Sequence, residues 1–246
     1  MLTDDQLLRY SRQIMLPQID IAGQEKLAIA SIVIVGLGGL GSPVAMYLAA
    51  AGVAKITLID DDVVDSSNLQ RQIIHQHQST GQSKVESAKQ RLLSINPDIR
   101  IDAIGKRLDL TLAEKVIFEA TVVVDCCDNF ETRFLVNRIC YQHKTPLVSG
   151  AAIRWEGQLT TFMMDQKSPC YRCLYDEDSF TDQSCSQNGV VGPVVGIIGS
   201  MQALEAIKVI TDAGKVAVGQ LTLLDGLDLS FSKINYRKKE DCPVCG

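Results

Sequence analysis

Ile32-Val33-Ile34-Val35-Gly36-Leu37-Gly38-Gly39-Leu40-Gly41-Ser42 runs from four β-branched residues into glycines and then into an Ala-rich helical segment. It reads as strand, phosphate loop and helix. Gly36, Gly38 and Gly41 fit G-x-G-x-x-G, where missing side chains let the chain turn sharply, approach a ligand's phosphates and pack helix on strand. A helix beginning near Ser42 aims its free N–H groups and positive dipole end at those phosphates. Taken alone, the loop specifies a bound phosphate and does not separate a nicotinamide cofactor from a nucleoside triphosphate.

Working downstream, Lys55-Ile56-Thr57-Leu58-Ile59 is a second strand ending in Asp60-Asp61-Asp62. Asp60 stands where a dinucleotide-binding fold hydrogen-bonds ribose, although three consecutive aspartates also suit an acidic turn. Ser67-Asn68-Leu69-Gln70-Arg71-Gln72 is rich in side-chain donors. The helix after it takes Ser83 as its cap with Glu86 closing a capping box, and Val85, Ala88, Leu92 and Ile95 as its buried stripe. Lys84 then occupies the first helical position, where its charge opposes the macrodipole. A bound anion shared with Arg71 accounts for that placement, and a freely solvated lysine is the alternative.

Asn96-Pro97 stops this helix, and Ile99 to Ile104 alternates like a strand. Thr121 to Asp125 is a fully buried strand that emerges into Cys126-Cys127-Asp128-Asn129, with Asn129 able to cap the next helix. Ligands collect at the carboxyl ends of strands in open parallel sheets, which puts Asp128 in one crevice with Gly38 and Asp60, unless it too is a helix cap. Pro146 to Ser149, Gln158 to Met164, Gln220 to Leu224 and Leu229 to Asn235 read as strands, with a long helix near Val194 to Thr211. Upstream, Thr3-Asp4-Asp5-Gln6 has capping-box form and opens one helix ending before Pro17. Arg9 and Arg12 lie three apart on its surface and, from the residues alone, are solvated.

The expected fold is therefore α/β: a Rossmann-like, mostly parallel sheet in the first half continued by antiparallel strands, in one domain spanning residues 1–246. A chain of 246 residues with 46% hydrophobic and 22% charged content has the material for a sizeable core. Its formal net charge of −5 gives no bulk support to nucleic-acid binding. Val190 to Ala206 is nearly uncharged, yet it contains Pro193 and Glu205 and lacks a basic flank, so a core helix is the better reading than a membrane span. The acidic opening Met1-Leu2-Thr3-Asp4-Asp5 is no secretory signal, and a cytoplasmic location is expected.

Cys170-Tyr171-Arg172-Cys173 and Cys242-Pro243-Val244-Cys245 are spaced so that each pair binds one ion from a tight turn. Together they form a four-cysteine set suited to tetrahedral, structural Zn²⁺ that pins the C-terminal segment to the body. A redox C-x-x-C is the rival, but neither pair follows a thioredoxin-like strand at a helix start. Cys126, Cys127 and Cys140 are assigned to packing, and His75, His77 and His143 form no ligand constellation.

Arg9-Tyr10-Ser11-Arg12-Gln13-Ile14, the Gly36 to Gly41 loop, Asp60 with Asp62, Ser67 to Gln72, Lys84, Asp128-Asn129 and both C-x-x-C pairs together resemble the ThiF/MoeB/HesA adenylyltransferases, bacterial relatives of the ubiquitin-activating enzymes. The resemblance spans essentially the whole chain. It implies ATP and Mg²⁺, not a nicotinamide, in a nucleotide-binding half (1–150) held by Gly36, Gly38, Gly39, Gly41, Asp60, Asp62, Asn68, Arg71, Gln72, Lys84, Asp128 and Asn129. Asp60 would hold the ribose, Asn68, Arg71 and Lys84 the phosphates, and Asp128 the Mg²⁺. It also implies a homodimer in which Arg12 reaches the partner's ATP. The half from 151 to 246 would carry the zinc and bind a small ubiquitin-like sulfur-carrier protein, MoaD-like or ThiS-like, whose C-terminal Gly-Gly carboxylate is adenylated.

Cys185, in the polar stretch Thr181 to Asn188, joins sulfur transfer in the ThiF-like branch and is dispensable for adenylation in the MoeB-like one, so a functional and a passive thiol both stay open. Gly189 to Gly196 looks ThiF-like and Ser149 to Arg154 MoeB-like, leaving thiamin and molybdopterin pathways both open. Sulfur must come from a separate donor protein. The competing classes are an NAD(P)-dependent oxidoreductase using the same glycine loop, and a noncatalytic scaffold.

Overall fold

The structure, a computed structural model, describes residues 2–176 and 189–246. In chain order the first half contains α1 (Asp4–Arg9), α2 (Ser11–Ile14), α3 (Asp20–Leu27), β1 (Ser31–Val35), α4 (Gly41–Ala50), β2 (Lys55–Ile59), α5 (Lys84–Ile95), β3 (Arg100–Ile104), α6 (Leu110–Phe118), β4 (Val122–Asp125) and α7 (Phe130–His143). The second contains β5 (Leu147–Ile153), β6 (Glu156–Phe162), α8 (Tyr171–Leu174), α9 (Gly192–Thr211), β7 (Gln220–Asp225) and β8 (Ser230–Asn235). All the strands join one sheet in the order β3-β2-β1-β4-β5-β6-β7-β8. Pairing is parallel from β3 through β5 and antiparallel from β5 to β8, as expected from the sequence.

Alternation along the strands divides the core between two faces. Ile32, Ile34, Val122 and Val124 pack toward α4, α5 and α9, while Val33, Val35 and Val123 pack toward α6 and α7. The apolar helix α9 lies in this core, with Val194, Val195, Ile198, Ala203 and Ala206 buried, in keeping with its reading as a core helix. Its buried polar groups are paired: Gln202 Nε2 donates to the Asp125 carbonyl at 2.7 Å, and Glu205 accepts from the Thr161 hydroxyl at 2.8 Å. The order 3-2-1-4 reverses direction across β1 and β4, which opens a crevice at their carboxyl ends.

Three local expectations need correction. The first helix keeps its Thr3 capping box but breaks at Tyr10, whose ring is buried against Gly52 and whose hydroxyl accepts from Asn96 Nδ2 at 2.8 Å. Ser83 precedes α5 without a side-chain cap. The start of α5 is tied instead to the preceding loop, with Lys84 N–H donating to the Asp62 carbonyl at 3.0 Å. Helices α3 and α6 have no counterpart in the sequence reading. α3 carries Gly23 in its middle and starts at Asp20 with φ of 54°, while α6 leaves Leu110 and Phe118 exposed at its two ends and so blurs its own periodicity.

Candidate functional site

A cavity of about 620 Å³ opens at the carboxyl ends of β1, β2 and β4. Its floor is the glycine loop. Gly36 has φ of 92°, and a Cβ on Gly41 would stand 2.0 Å from the Gly36 carbonyl oxygen, so the tight turn excludes side chains at both positions. A Cβ on Gly39 would meet Val195 at 2.7 Å, whereas at Gly38 the nearest atom would be Gln72 Nε2 at 3.7 Å, which leaves that part of the loop open to a ligand. Helix α4 starts behind the loop with no side-chain cap, but its Ser42 N–H already donates to the Gly38 carbonyl at 3.0 Å and Pro43 has no N–H. The donors left to meet an anion are therefore those of the loop from Gly38 to Leu40 and not the free first turn the sequence suggested.

Leu37 holds the loop in place from both sides. Its N–H donates to Asp60 Oδ2 at 2.7 Å, and its carbonyl lies 3.2 Å from His75 Nε2. His75 is buried, and its Nδ1 is 3.0 Å from the Ser87 hydroxyl. Nε2–H donating to Leu37 and Nδ1 accepting from Ser87 satisfies both contacts with a neutral ring. Burial holds this imidazole below its usual pKa, against the Leu37 carbonyl, and the Lys84 charge acts in the same direction as burial. Burial likewise pushes the Asp60 carboxyl up, opposed by Lys84 and by the N–H donors of Leu37 and Asp62.

Lys84 is buried, not freely solvated. Its Nζ pairs with Asp62 Oδ2 at 2.8 Å on the cavity wall, and the Asp62 side chain is 68% exposed, so the ammonium has only a water-facing partner on that side. Arg71 lines the same wall and donates from Nη2 to Asn68 Oδ1 at 2.9 Å. Asn68 thus stands one step behind the cavity lining and holds Arg71. Gln72 is buried in the lining, and its Oε1 has no hydrogen-bond partner among the described residues. A buried acceptor left unpaired in a cavity wall fits a site built to receive a donor. Asp128 is exposed at the cavity and Asn129, not Asp128, caps α7, accepting from Thr132 N–H at 2.9 Å. The Asp128 carboxylate is therefore free of a capping role.

Arg12 sits exposed on α2, away from the cavity lining and without a partner among the described residues, whereas Arg9 donates to the Ile95 carbonyl at 3.2 Å. Cys185 lies outside the described residues. Three cavity cations were missed in the sequence. Lys106 and Arg107 follow β3 at the rim, and Arg133 is buried in the wall. Arg133, the fourth residue of α7, carries no local signal, since its partners lie on β4, β5 and the turn between β4 and α7.

Cys170, Cys173, Cys242 and Cys245 bring four buried Sγ atoms within 4.8 Å of one another. Cys170 and Cys242 are 3.7 Å apart, Cys173 and Cys245 3.4 Å. Tetrahedral zinc with Zn–S of about 2.3 Å places its sulfurs about 3.8 Å apart, so the quartet fits a four-thiolate ion and leaves no open position. Cys126, Cys127 and Cys140 are buried with their thiols pushed up by burial, in line with packing roles.

Known proteins share this sequence pattern and fold. The sequence pattern of the ThiF family matches residues 10–244. The chain belongs to the ThiF family. It is 45% identical to the molybdopterin-synthase adenylyltransferase of Salmonella typhimurium, over 100% of this chain and 98% of that one. It is 42% identical to the sulfur carrier protein ThiS adenylyltransferase of Escherichia coli, over 100% of this chain and 97% of the relative. Among solved structures, E. coli MccB with ATP superposes with a TM-score of 0.85 at 25% identity, covering 97% of this chain and 74% of that one. In this ThiF-family chain the glycine loop and the Lys84–Arg71 wall line one cavity, and the cysteine quartet forms a separate cluster.

Proposed function

We propose that this ThiF-family enzyme uses ATP to adenylate the C-terminal carboxylate of a small ubiquitin-like sulfur-carrier protein ending in Gly-Gly, releasing pyrophosphate. The observation that carries this reading is the convergence of Lys84 and Arg71 on one cavity floored by the glycine loop. That wall suits a triphosphate better than the single pyrophosphate of a nicotinamide cofactor.

The reaction asks little of acid–base chemistry. A carrier carboxylate is ionised at neutral pH and needs no general base. Its attack on the α-phosphate is opposed by charge repulsion, which Lys84 and Arg71 offset by standing where negative charge develops. Asp60 reads the ribose, and Asn68 orients Arg71. Asp128, with Asn129 beside it, would hold Mg²⁺, which would further neutralise the phosphates. The cysteine quartet would hold Zn²⁺ in a structural role. Arg12 completes the site of the partner protomer in a homodimer, in keeping with its exposure and with the apolar surface around it at Leu8, Met15 and Leu16.

A second cavity of about 440 Å³ shares Asp128, Asn129, Arg133, Ala151 and Ala152 with the first, and continues past Ile153, Gly157, Leu223 and Leu224. It is suited to an extended, small-residue tail leading to the phosphates. Sulfur then comes from a separate donor protein, with Cys185 a candidate for its transfer. Incubation with ATP, Mg²⁺ and purified MoaD-like and ThiS-like carriers, followed by intact mass measurement, tests the reading and names the carrier. The expected product is carrier plus AMP. Neither carrier gaining that mass overturns the proposal.

A further inference from the structure

Helix α7 bears a buried polar face whose two residues touch different sites. Arg133 and Asn137 stand four residues apart, hence on one side of the helix, and both are buried. Asn137 meets the cysteine quartet: its Nδ2 donates to Cys170 Sγ at 3.7 Å and its Oδ1 accepts from the Tyr171 N–H at 2.8 Å. Arg133 meets the turn that ends in Asp128. Its guanidinium pairs with the Asp125 carboxylate at 3.3 Å and donates to the Gly150 carbonyl at 2.9 Å and to the Cys127 carbonyl. Asp125 in turn accepts from Cys127 N–H at 3.0 Å and from the Ser149 hydroxyl at 2.7 Å.

Tyr171 closes the connection from the other end. It lies between Cys170 and Cys173, is buried, packs edge-on against Phe134 at 5.3 Å between centroids, and turns its hydroxyl toward the Arg133 guanidinium. Both backbone polar groups of Cys127, one residue before Asp128, are therefore gripped by the Asp125–Arg133 pair, and that pair is abutted by a residue of the cysteine clamp. Arg133 spends its donors on protein carbonyls, the Asp125 carboxylate and the Ser149 hydroxyl, so its influence on the phosphates runs through the turn it holds.

We propose that Asn137, Tyr171 and Arg133 form a positioning relay through which the cysteine clamp sets the placement of the Asp128 carboxylate at the nucleotide. The relay rests on the adenylation reading above. Groups that orient a metal ligand are worth about 10–100-fold in metal affinity. A purely structural role lowers thermal stability and leaves affinity for a divalent ion at the nucleotide unchanged.

The test uses the full-length, zinc-containing protein and its Tyr171→Phe and Arg133→Lys variants. Mn²⁺ is titrated in the presence of a nonhydrolysable ATP analogue and followed by the electron paramagnetic resonance of free Mn²⁺, with zinc content and thermal midpoint measured on the same samples. Tyr171→Phe removes one oxygen and keeps the ring, so it carries the test should Arg133→Lys fail to fold. The relay predicts unchanged zinc content, a Mn²⁺ dissociation constant raised about tenfold, and metal-free analogue affinity changed by less than about twofold. A Mn²⁺ dissociation constant in folded Tyr171→Phe within about twofold of wild type overturns the relay alone. Failure of the wild-type protein to bind the Mn²⁺–analogue pair overturns the adenylation reading, and the relay with it.

Discussion

Replacing Lys84 with methionine keeps most of the side-chain volume and removes only the charge. The ammonium is buried and its ion pair is with Asp62, whose side chain is 68% exposed. Its loss leaves that carboxylate in water and not stranded in the core. Removing a cation from the first turn of α5 also relieves an unfavourable dipole interaction of about 0.5 kcal/mol. Exposed pairing on the Asp62 side is worth at most about 1 kcal/mol, and the half-buried Asp60 carboxylate, which Lys84 also stabilises, adds a loss of the same order, so the net stability change is within about 2 kcal/mol, or about 4–8 °C in Tm for a chain of this size. In the reaction the same charge faces the phosphates, where deleting one preorganised stabilising group costs about 3 kcal/mol and lowers kcat about 10²-fold. Carrier-dependent pyrophosphate exchange with saturating ATP, beside a thermal melt, measures both quantities. Lys84→Met with exchange within about threefold of wild type, or with activity lost only because Tm collapses, refutes the assignment of Lys84 to the phosphates.

Other expectations follow from the same geometry. Arg71→Ala and Asp128→Ala should each lower kcat far more than stability, and unchanged pyrophosphate exchange in both would defeat their placement at the phosphates. Arg12→Ala and Asp128→Ala, each inactive alone, should regain about a quarter of wild-type activity when mixed and allowed to exchange subunits, since half the dimers then hold one complete site; no recovery in demonstrably mixed dimers removes Arg12 from the partner's site. Cys242→Ser should abolish zinc binding and lower stability by about 4 kcal/mol, the order expected for opening a long cross-linked loop, read as zinc content and Tm; an unchanged Tm in the zinc-free variant contradicts a structural ion. His75 has a folded-state pKa below its unfolded value of about 6.5. Between the two values the unfolded chain binds the extra proton, so stability is full above that window and falls as pH drops through it. Melts from pH 7 to pH 5 should show this loss in wild type and a smaller one in His75→Gln, and parallel curves contradict it.

Those parts of the site whose signal is local were legible in the sequence. The glycine spacing, the acid after β2, Lys84 against its own helix dipole and the two C-x-x-C pairs each carry their chemistry within a few residues. The first three meet at one cavity, and the four thiols meet in one cluster. What escaped depends on distant partners. His75 has no motif, and its role comes from Leu37 and Ser87, on other elements. Arg133 acquires meaning only when β4, β5 and the cysteine clamp meet around it. Tyr10 breaks an otherwise regular helix because Asn96, far along the chain, holds its hydroxyl. Ser83 makes no side-chain cap, and the start of α5 is tied instead by the Lys84 N–H to the Asp62 carbonyl, a contact from another segment that the local pattern does not carry.

The central claim is that the Gly36–Gly41 loop and the Lys84–Arg71 wall form an adenylation site for a Gly-Gly carboxylate. Exchange of radiolabelled pyrophosphate into ATP, with and without a purified carrier and with a carrier lacking its last two glycines, tests this most directly. Exchange that requires Mg²⁺ and the intact carrier is the predicted result. Exchange with none of the carriers, together with tight binding of NADH, would contradict the account.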